Sequence, residues 1–238
     1  HLAASGWYES QGRPVPAIDH AIEGEDFPHA IALLLQHVDS FLEQGRMRLL
    51  ARWLGALPMP LLAQHARLQA ALLWATSFTR GPWEAMDALA QQSALGPLAP
   101  PLDHDVRCMQ PMLLAMQDRN DEALQLGREA LTHLSGSQRF ADCTLLNAMA
   151  HTLAVTGAPA QARQLLDAAR QHHSGHSSFN RMYSESTEGL LDLQHGRLRQ
   201  AGARFRLAVD ATHAVNFHHT HGNAWAGVLY ASVVYEGN

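Results

Sequence analysis

The chain has 238 residues, of which 47% are hydrophobic and only 16% charged, with a formal net charge of −5. That balance supplies a continuous apolar core, and it excludes the basic face that neutralising nucleic-acid phosphates requires. All 17 basic residues are arginine, which excludes a P-loop ATPase within the chain, because that loop needs a lysine to reach the nucleotide phosphates.

Taken in order, His1 to Ser10 reads as a helix that stops at Gln11-Gly12. Pro14 to Ile22 follows, with Ala17, Ile18, Ala21 and Ile22 on one face, closed by Gly24-Glu25-Asp26, where Asp26 is a candidate N-cap. Phe27 to Leu42 is strongly apolar, and Gly45 turns the chain into Met47 to Leu57. Leu57-Pro58-Met59-Pro60 breaks it, since each proline disfavours helix at the residue before it. Leu61 to Thr79 is expected as one long helix and Pro82 to Gln92 as its partner. Ala94 to Asp103 is too apolar for a solvated linker and reads as a loop packed on the surface. From His104 the pattern is regular: first helices at 104–118, 138–156, 179–195 and 221–235, second helices at 121–134, 158–172 and 197–214. Pro111 should kink or limit the first of these. Trp53, Trp74 and Trp83 read as packing residues.

The corners set a ruler. Gly45, Gly81, Asn120-Asp121, Gly157, Gly196 and Gly237 are 36, 39, 37, 39 and 41 residues apart. Ala85, Ala123, Ala162 and Ala201 follow the middle four, small enough for two helices to approach closely. At Gly157 a glycine able to close a helix is followed by Pro159, which suits the first turn of the next. A two-helix unit of this period predicts an all-α fold, a right-handed superhelix of tetratricopeptide-like helix hairpins. Residues 1–57 would be short lead-in or capping helices. Residues 58–238 would be one continuous solenoid, truncated at its C-terminal end. Because Gly237-Asn238 is a corner with no second helix after it, and the chain opens on His1, both ends read as cut from a longer protein. An apolar end exposed mid-solenoid is open to self-association.

Cys108 and Cys143 fall on helices and read as buried free thiols of a reducing, cytoplasmic compartment. No apolar run approaches the roughly 18 residues of a membrane span, and no signal peptide opens the chain.

Three stretches carry a resemblance: Trp7-Tyr8-Glu9-Ser10-Gln11-Gly12 with Ala17-Ile18-Asp19-His20-Ala21 and Gly24-Glu25-Asp26-Phe27; Arg52-Trp53-Leu54-Gly55-Ala56-Leu57-Pro58; and Arg67-Leu68 through Trp74-Ala75 to Arg80-Gly81. In this order they resemble MalT-like transcriptional activators, ATP-dependent regulators with a C-terminal LuxR-type DNA-binding domain. The resemblance is strong over 1–90 and generic thereafter. It implies that this stretch is the effector-sensing superhelix, taking a small-molecule inducer (a small sugar in the best-known member) or a regulatory protein. The repeats alone fit an alternative, a tetratricopeptide-type scaffold for protein–protein interaction with no small-molecule ligand. It also implies that the ATP cofactor and the nucleotide-binding and DNA-binding domains belong to the parent protein, with no cofactor, no direct nucleic-acid contact and no membrane contact from this part.

In tetratricopeptide-like stacks the first helices line the concave face, where ligands usually bind. Thr144, Asn147 and His151 share one helical stripe, apart from Leu146, Met149, Ala150 and Leu153, so Asn147 and His151 should face the groove and hydrogen-bond a polar ligand. On the next first helix Arg181, Tyr183, Ser184, Glu188 and Asp192 are polar. Tyr183 would stack on a ring and Glu188 accept hydroxyl hydrogen bonds, beside the plainer reading of a solvated surface face. Asn223 and Trp225 are weaker candidates. Two histidine clusters, His172, His173 and His176, then His213, His218, His219 and His221, follow consecutive second helices, but no Cys or carboxylate accompanies them in metal-ligand spacing, and no metal site is expected. Ser174 and His176 lack an orienting acid, and Glu185 and Glu188 share one helix face, so the chain is not expected to be an enzyme.

Overall fold

The computed structural model describes residues 1–94, 96–137, 139–172, 177–213 and 223–236. They form fourteen helices: α1 Leu2–Ser10, α2 Pro14–Glu23, α3 Phe27–Glu43, α4 Met47–Ala56, α5 Met59–Leu62, α6 Ala66–Thr79, α7 Pro82–Ala94, α8 Pro100–Ala115, α9 Asn120–Leu131, α10 Arg139–Val155, α11 Pro159–His172, α12 Ser178–Gln194, α13 Leu198–His213 and α14 Asn223–Glu236. No strand occurs among the described residues. The fold is all-α, a superhelix of helical repeats.

One device closes six of these helices. The residue after the turn donates its N–H five places back, as Ala158 does to the Leu153 carbonyl at 2.8 Å, Arg46 to Phe41 and Arg197 to Asp192. The residue before it takes a positive φ: Gly45, Gly157 and Gly196 at 69°, 88° and 72°. This arrangement satisfies carbonyls that a helix end otherwise leaves unpaired. Arg13 and Asp26 make the same bond behind Gly12 and Glu25, so the lead-in helices end as the repeats do. The third corner corrects the ruler. Its left-handed residue is Asp118, at φ 59°, two places before the expected Asn120-Asp121, and Arg119 bonds back to Leu114. Asp tolerates this conformation better than most side chains.

Two helix expectations are also corrected. The stretch from Leu61 to Thr79 is two helices, not one. Residues Ala63 to His65 form a turn, which the Gln69 amide caps by donating to the Ala63 carbonyl at 2.6 Å. The apolar loop before His104 is shorter than expected, because Pro100 and Pro101 start α8, where a missing N–H costs nothing. What remains of that loop does pack inward, through Leu98. α8 also runs through Pro111, which is buried, to Ala115.

Helices pair as α6 with α7, α8 with α9, α10 with α11 and α12 with α13, while the first helices stack in the series α6, α8, α10, α12, α14. The small residues expected at the hairpins, Ala85, Ala123, Ala162 and Ala201, are fully buried. Closer approaches fall at glycines: a Cβ on Gly127 would lie 2.0 Å from Met149 Sδ, and one on Gly189 2.4 Å from the buried Phe205 ring, so α9 meets α10 and α12 meets α13 there at distances that suit glycine. α3 touches α10 and α12 in addition to its neighbours, which folds the lead-in helices against the stack. One core runs from Ala17 in α2 to Phe179 in α12. Trp53 and Trp74 are buried in it, and each donates its indole N–H at 2.6 Å to an aspartate, Asp19 and Asp105 respectively. Trp83 is 69% exposed, against the packing role expected of it.

Candidate functional site

The repeat stagger brings one stripe of each first helix to a common cavity of ≈250 Å³. Phe78 comes from α6, Met112 and Ala115 from α8 with Met116 just beyond it, Thr144, Asn147, Ala148 and His151 from α10, Asn180 and Tyr183 from α12, and Trp225 from α14. Every helix that contributes is a first helix, and Met112, Ala148 and Tyr183 are 36 and 35 residues apart, about one repeat.

Its walls are aromatic. Tyr183 and Trp225 stack with ring centroids 5.4 Å apart, and the His151 ring meets Trp225 edge-on at 5.8 Å. Behind them Phe78, Phe140 and Phe179 continue the contacts to Trp74, which sits edge-on to Phe140. Burial pushes the Tyr183 hydroxyl pKa up, so it stays protonated at neutral pH.

The polar groups of the wall divide into spent and unspent. The Asn147 amide donates to the backbone carbonyl of Asn180 at 3.1 Å and to its side-chain oxygen at 3.2 Å, and its own oxygen accepts the Ser184 hydroxyl at 2.7 Å. Thr144 donates to the Phe140 carbonyl at 2.7 Å. These bonds tie α10 to α12 and leave little for a ligand. His151 differs: its Nδ1 is buried without a partner, and burial alone lowers its pKa, so the ring is neutral at pH 7.

Of the four residues expected to bind ligand, the cavity brings together Asn147, His151 and Tyr183. Glu188 lies elsewhere. Five residues beyond Tyr183, it is turned about 140° around the helix and faces α11, where Arg170 donates to its carboxylate at 2.9 Å and Arg163 at 3.4 Å. Glu185 is held by Arg204 at 2.8 Å and Asp192 by Arg197 at 2.7 Å. The surface-face reading of α12 is therefore corrected: Ser184, Glu188 and Asp192 are buried, because α10, α11, α13 and α14 all pack on this helix and arginines neutralise its acids. Trp225, rated a weaker candidate, stands in the wall. Phe78, Met112, Met116 and Asn180 were missed, and the signal that finds them is the repeat period applied to the stripe of Asn147.

A second polar cluster joins α8 to α10. His104 Nε2 lies 2.7 Å from the fully buried Asp142 carboxylate and 3.5 Å from Cys108 Sγ. The Asp142 oxygens also accept the backbone N–H groups of Ser135 at 3.2 Å and Gly136 at 2.8 Å. The hydrogen bond to Asp142 raises the His104 pKa. Burial pushes Asp142 up, but these hydrogen bonds outweigh it and its pKa is lowered. The three side chains are close enough together to hold a metal, as are the more exposed His1, His20 and Glu23. Asp142 already accepts from two backbone N–H groups and pairs with His104, which takes three of a carboxylate's roughly four acceptor sites. Cys108 and Cys143 are free and buried, the latter thiol pushed up to about 12 by burial. Of the histidine clusters, His173, His176, His218, His219 and His221, and the side chain of His213, lie outside the described residues, as does Ser174.

No family model matches the chain, and no solved structure does. Among curated proteins it is 28% identical over 243 aligned positions to the serine/threonine-protein kinase PknK of Mycobacterium tuberculosis and of Mycobacterium bovis, which takes in 99% of this chain and 22% of the relative. It is 25% identical over 186 positions to the HTH-type transcriptional regulator MalT of Yersinia pestis, across 76% of this chain and 20% of the relative. The chain thus spans about a fifth of the length of the relatives it matches. These likenesses connect it, distantly, to large regulators of the MalT type. Among the described residues no helix is long and apolar enough to cross a membrane.

Proposed function

We propose that this chain is the effector-sensing superhelix of a MalT-like regulator, and that a small-molecule inducer occupies the cavity between α8, α10, α12 and α14. The observation that carries this reading is the cavity itself. Successive repeats each contribute to one pocket that ends on His151, whose buried nitrogen has no partner. Buried polar atoms are normally paired, and His151, one of whose ring nitrogens is not, belongs to the cavity wall. The two kinds of relative support it from another side. One is named a kinase and the other a transcriptional regulator, and both match the same stretch. The chain matches about a fifth of each, which suits a sensor whose output lies in other domains.

On this reading the chain is not itself catalytic. ATP and DNA are bound by other parts of a cytoplasmic parent protein, and occupancy of the cavity shifts the parent between resting and assembly-competent states through differential affinity for the two. Thermal denaturation of the 238-residue chain against a metabolite library tests it: a ligand at 100 times its Kd should stabilise the fold by about 2.7 kcal/mol, and Ala148→Phe, which fills the cavity, should abolish the shift. A library without a single cavity-dependent hit, alongside a regulatory protein recovered by affinity capture, would transfer the sensing role to a protein partner.

A further inference from the structure

Carrying the proposed sensing role further, we infer that the cavity selects an uncharged ligand built on a planar aromatic or heteroaromatic ring, with a polar substituent that hydrogen-bonds the His151 ring. This inference rests on the reading of the cavity as a ligand site. Three features of the wall converge on it.

The first is charge. None of the eleven described residues lining the cavity is Asp, Glu or Arg, and the acids of α12 are neutralised on its other side by α11 and α13. An ionised ligand would lose its hydration without gaining a counter-charge. The second is hydrogen-bonding capacity. Thr144, Asn147 and Asn180 spend theirs on one another and on backbone carbonyls, which leaves the His151 ring, the Tyr183 hydroxyl and the Trp225 indole N–H as the wall's polar groups without such a bond among the described residues. A sugar fits this wall poorly, because it would bury more hydroxyls than these few groups on aromatic rings can satisfy. One amide, phenol or ring nitrogen matches the imidazole, with the tautomer set by whichever the ligand offers.

The third is shape and surface. Tyr183 and Trp225 present stacked faces, Phe78 flanks them, and Met112 and Met116 stand on the α8 side, where thioether sulfur packs well on aromatic edges. A dry cavity of about 150 Å³ in another protein takes benzene; ≈250 Å³ leaves room for a ring with a short substituent or for two fused rings. Neutrality of His151 is consistent with the same ligand class, since an imidazolium would favour an anion.

The test uses the 238-residue chain and matched probes at millimolar concentration, read by tryptophan fluorescence and by melting temperature. Benzamide and benzoate share a shape and differ in charge; indole carries one N–H, toluene no polar group, and glucose many hydroxyls. Benzamide and indole are expected to bind, benzoate at pH 8 to bind at least about tenfold more weakly, and glucose to leave both signals unmoved. In His151→Leu, benzamide should weaken about fivefold to tenfold while toluene is unaffected, which separates loss of the hydrogen bond from collapse of the site. Ala148→Phe should abolish binding of every probe, and an unchanged far-ultraviolet circular dichroism spectrum identifies a variant that still folds. Binding of benzoate or glucose as tight as benzamide, sensitive to Ala148→Phe, would overturn this inference and leave the sensor reading standing. Absence of any probe binding that Ala148→Phe removes would overturn this inference, and the metabolite library then decides the sensor reading by itself.

Discussion

His104 and His151 stand on successive first helices of the stack, α8 and α10, and the fold treats them in opposite ways. His104 is locked to the Asp142 carboxylate at 2.7 Å, which raises its pKa; His151 is buried against Trp225 with Nδ1 unpaired, which lowers it. The difference separates two uses of one residue type. At the α8–α10 joint an imidazole completes a polar network whose every member is satisfied, so it specifies how two repeats pack and fixes the turn at Ser135 and Gly136. In the cavity an imidazole is left incomplete, a small cost the fold carries without a packing reason of its own.

Removing the joint's centre is expected to have the largest effect. Asp142→Ala strips a buried carboxylate from His104 and two backbone donors at once, and urea denaturation at pH 7 should show a loss of about 3–5 kcal/mol; a loss under about 1 kcal/mol would mean the joint does not hold the repeats together. Asn147→Ala is intermediate. Its amide links α10 to Asn180 and Ser184, so the loss should be about 1–3 kcal/mol, and the Trp225 emission should shift as α12 moves. His151→Leu breaks the pattern in sign: with the unpaired nitrogen gone, stability should hold to within about 0.5 kcal/mol or rise slightly. A large loss there would make His151 a structural residue like His104.

The smallest effects are in pH dependence, and they too oppose. The ordinary histidine pKa is 6.5. For His104 the folded pKa lies above that, so its contribution is fully present below pH 6.5 and is lost as pH rises through the folded value. For His151 the folded pKa lies below, so the unfolded chain takes up the proton first and stability falls as pH drops beneath 6.5. Denaturation midpoints from pH 5 to 9 should therefore flatten on the alkaline side in His104→Gln and on the acid side in His151→Leu. Both variants flattening the same limb would refute the contrast.

Much of this site was legible from the repeat alone. Counting back from Gly157 put Asn147 and His151 on a stripe apart from the core, and both line the cavity with Tyr183. The count failed where the physics left the single helix. Glu188 shares a helix with Tyr183, but a five-residue step carries it to the α11 side, where arginines lie. Asn147 was expected to serve a ligand, yet its amide is consumed by Asn180, 33 residues away. Trp225 reaches the cavity from a helix beyond residues 214–222, which no local pattern connects to His151. The third corner misled for a local reason: Asp118 takes the left-handed conformation usually given to glycine, and composition alone pointed to the neighbouring Asn120.

By itself the amino-acid sequence determined the parts that depend on neighbours along the chain. These are helices with an apolar stripe, corners where a residue of positive φ lets an N–H reach back five places, and a small alanine at each hairpin. Their regular spacing was enough to require a helical-repeat superhelix. Only the tertiary structure decided which polar groups are spent and which are free, because that depends on how far one helix slides and turns against another. His104 finds a carboxylate 38 residues on, and His151, a few turns along the stack, finds only the face of Trp225.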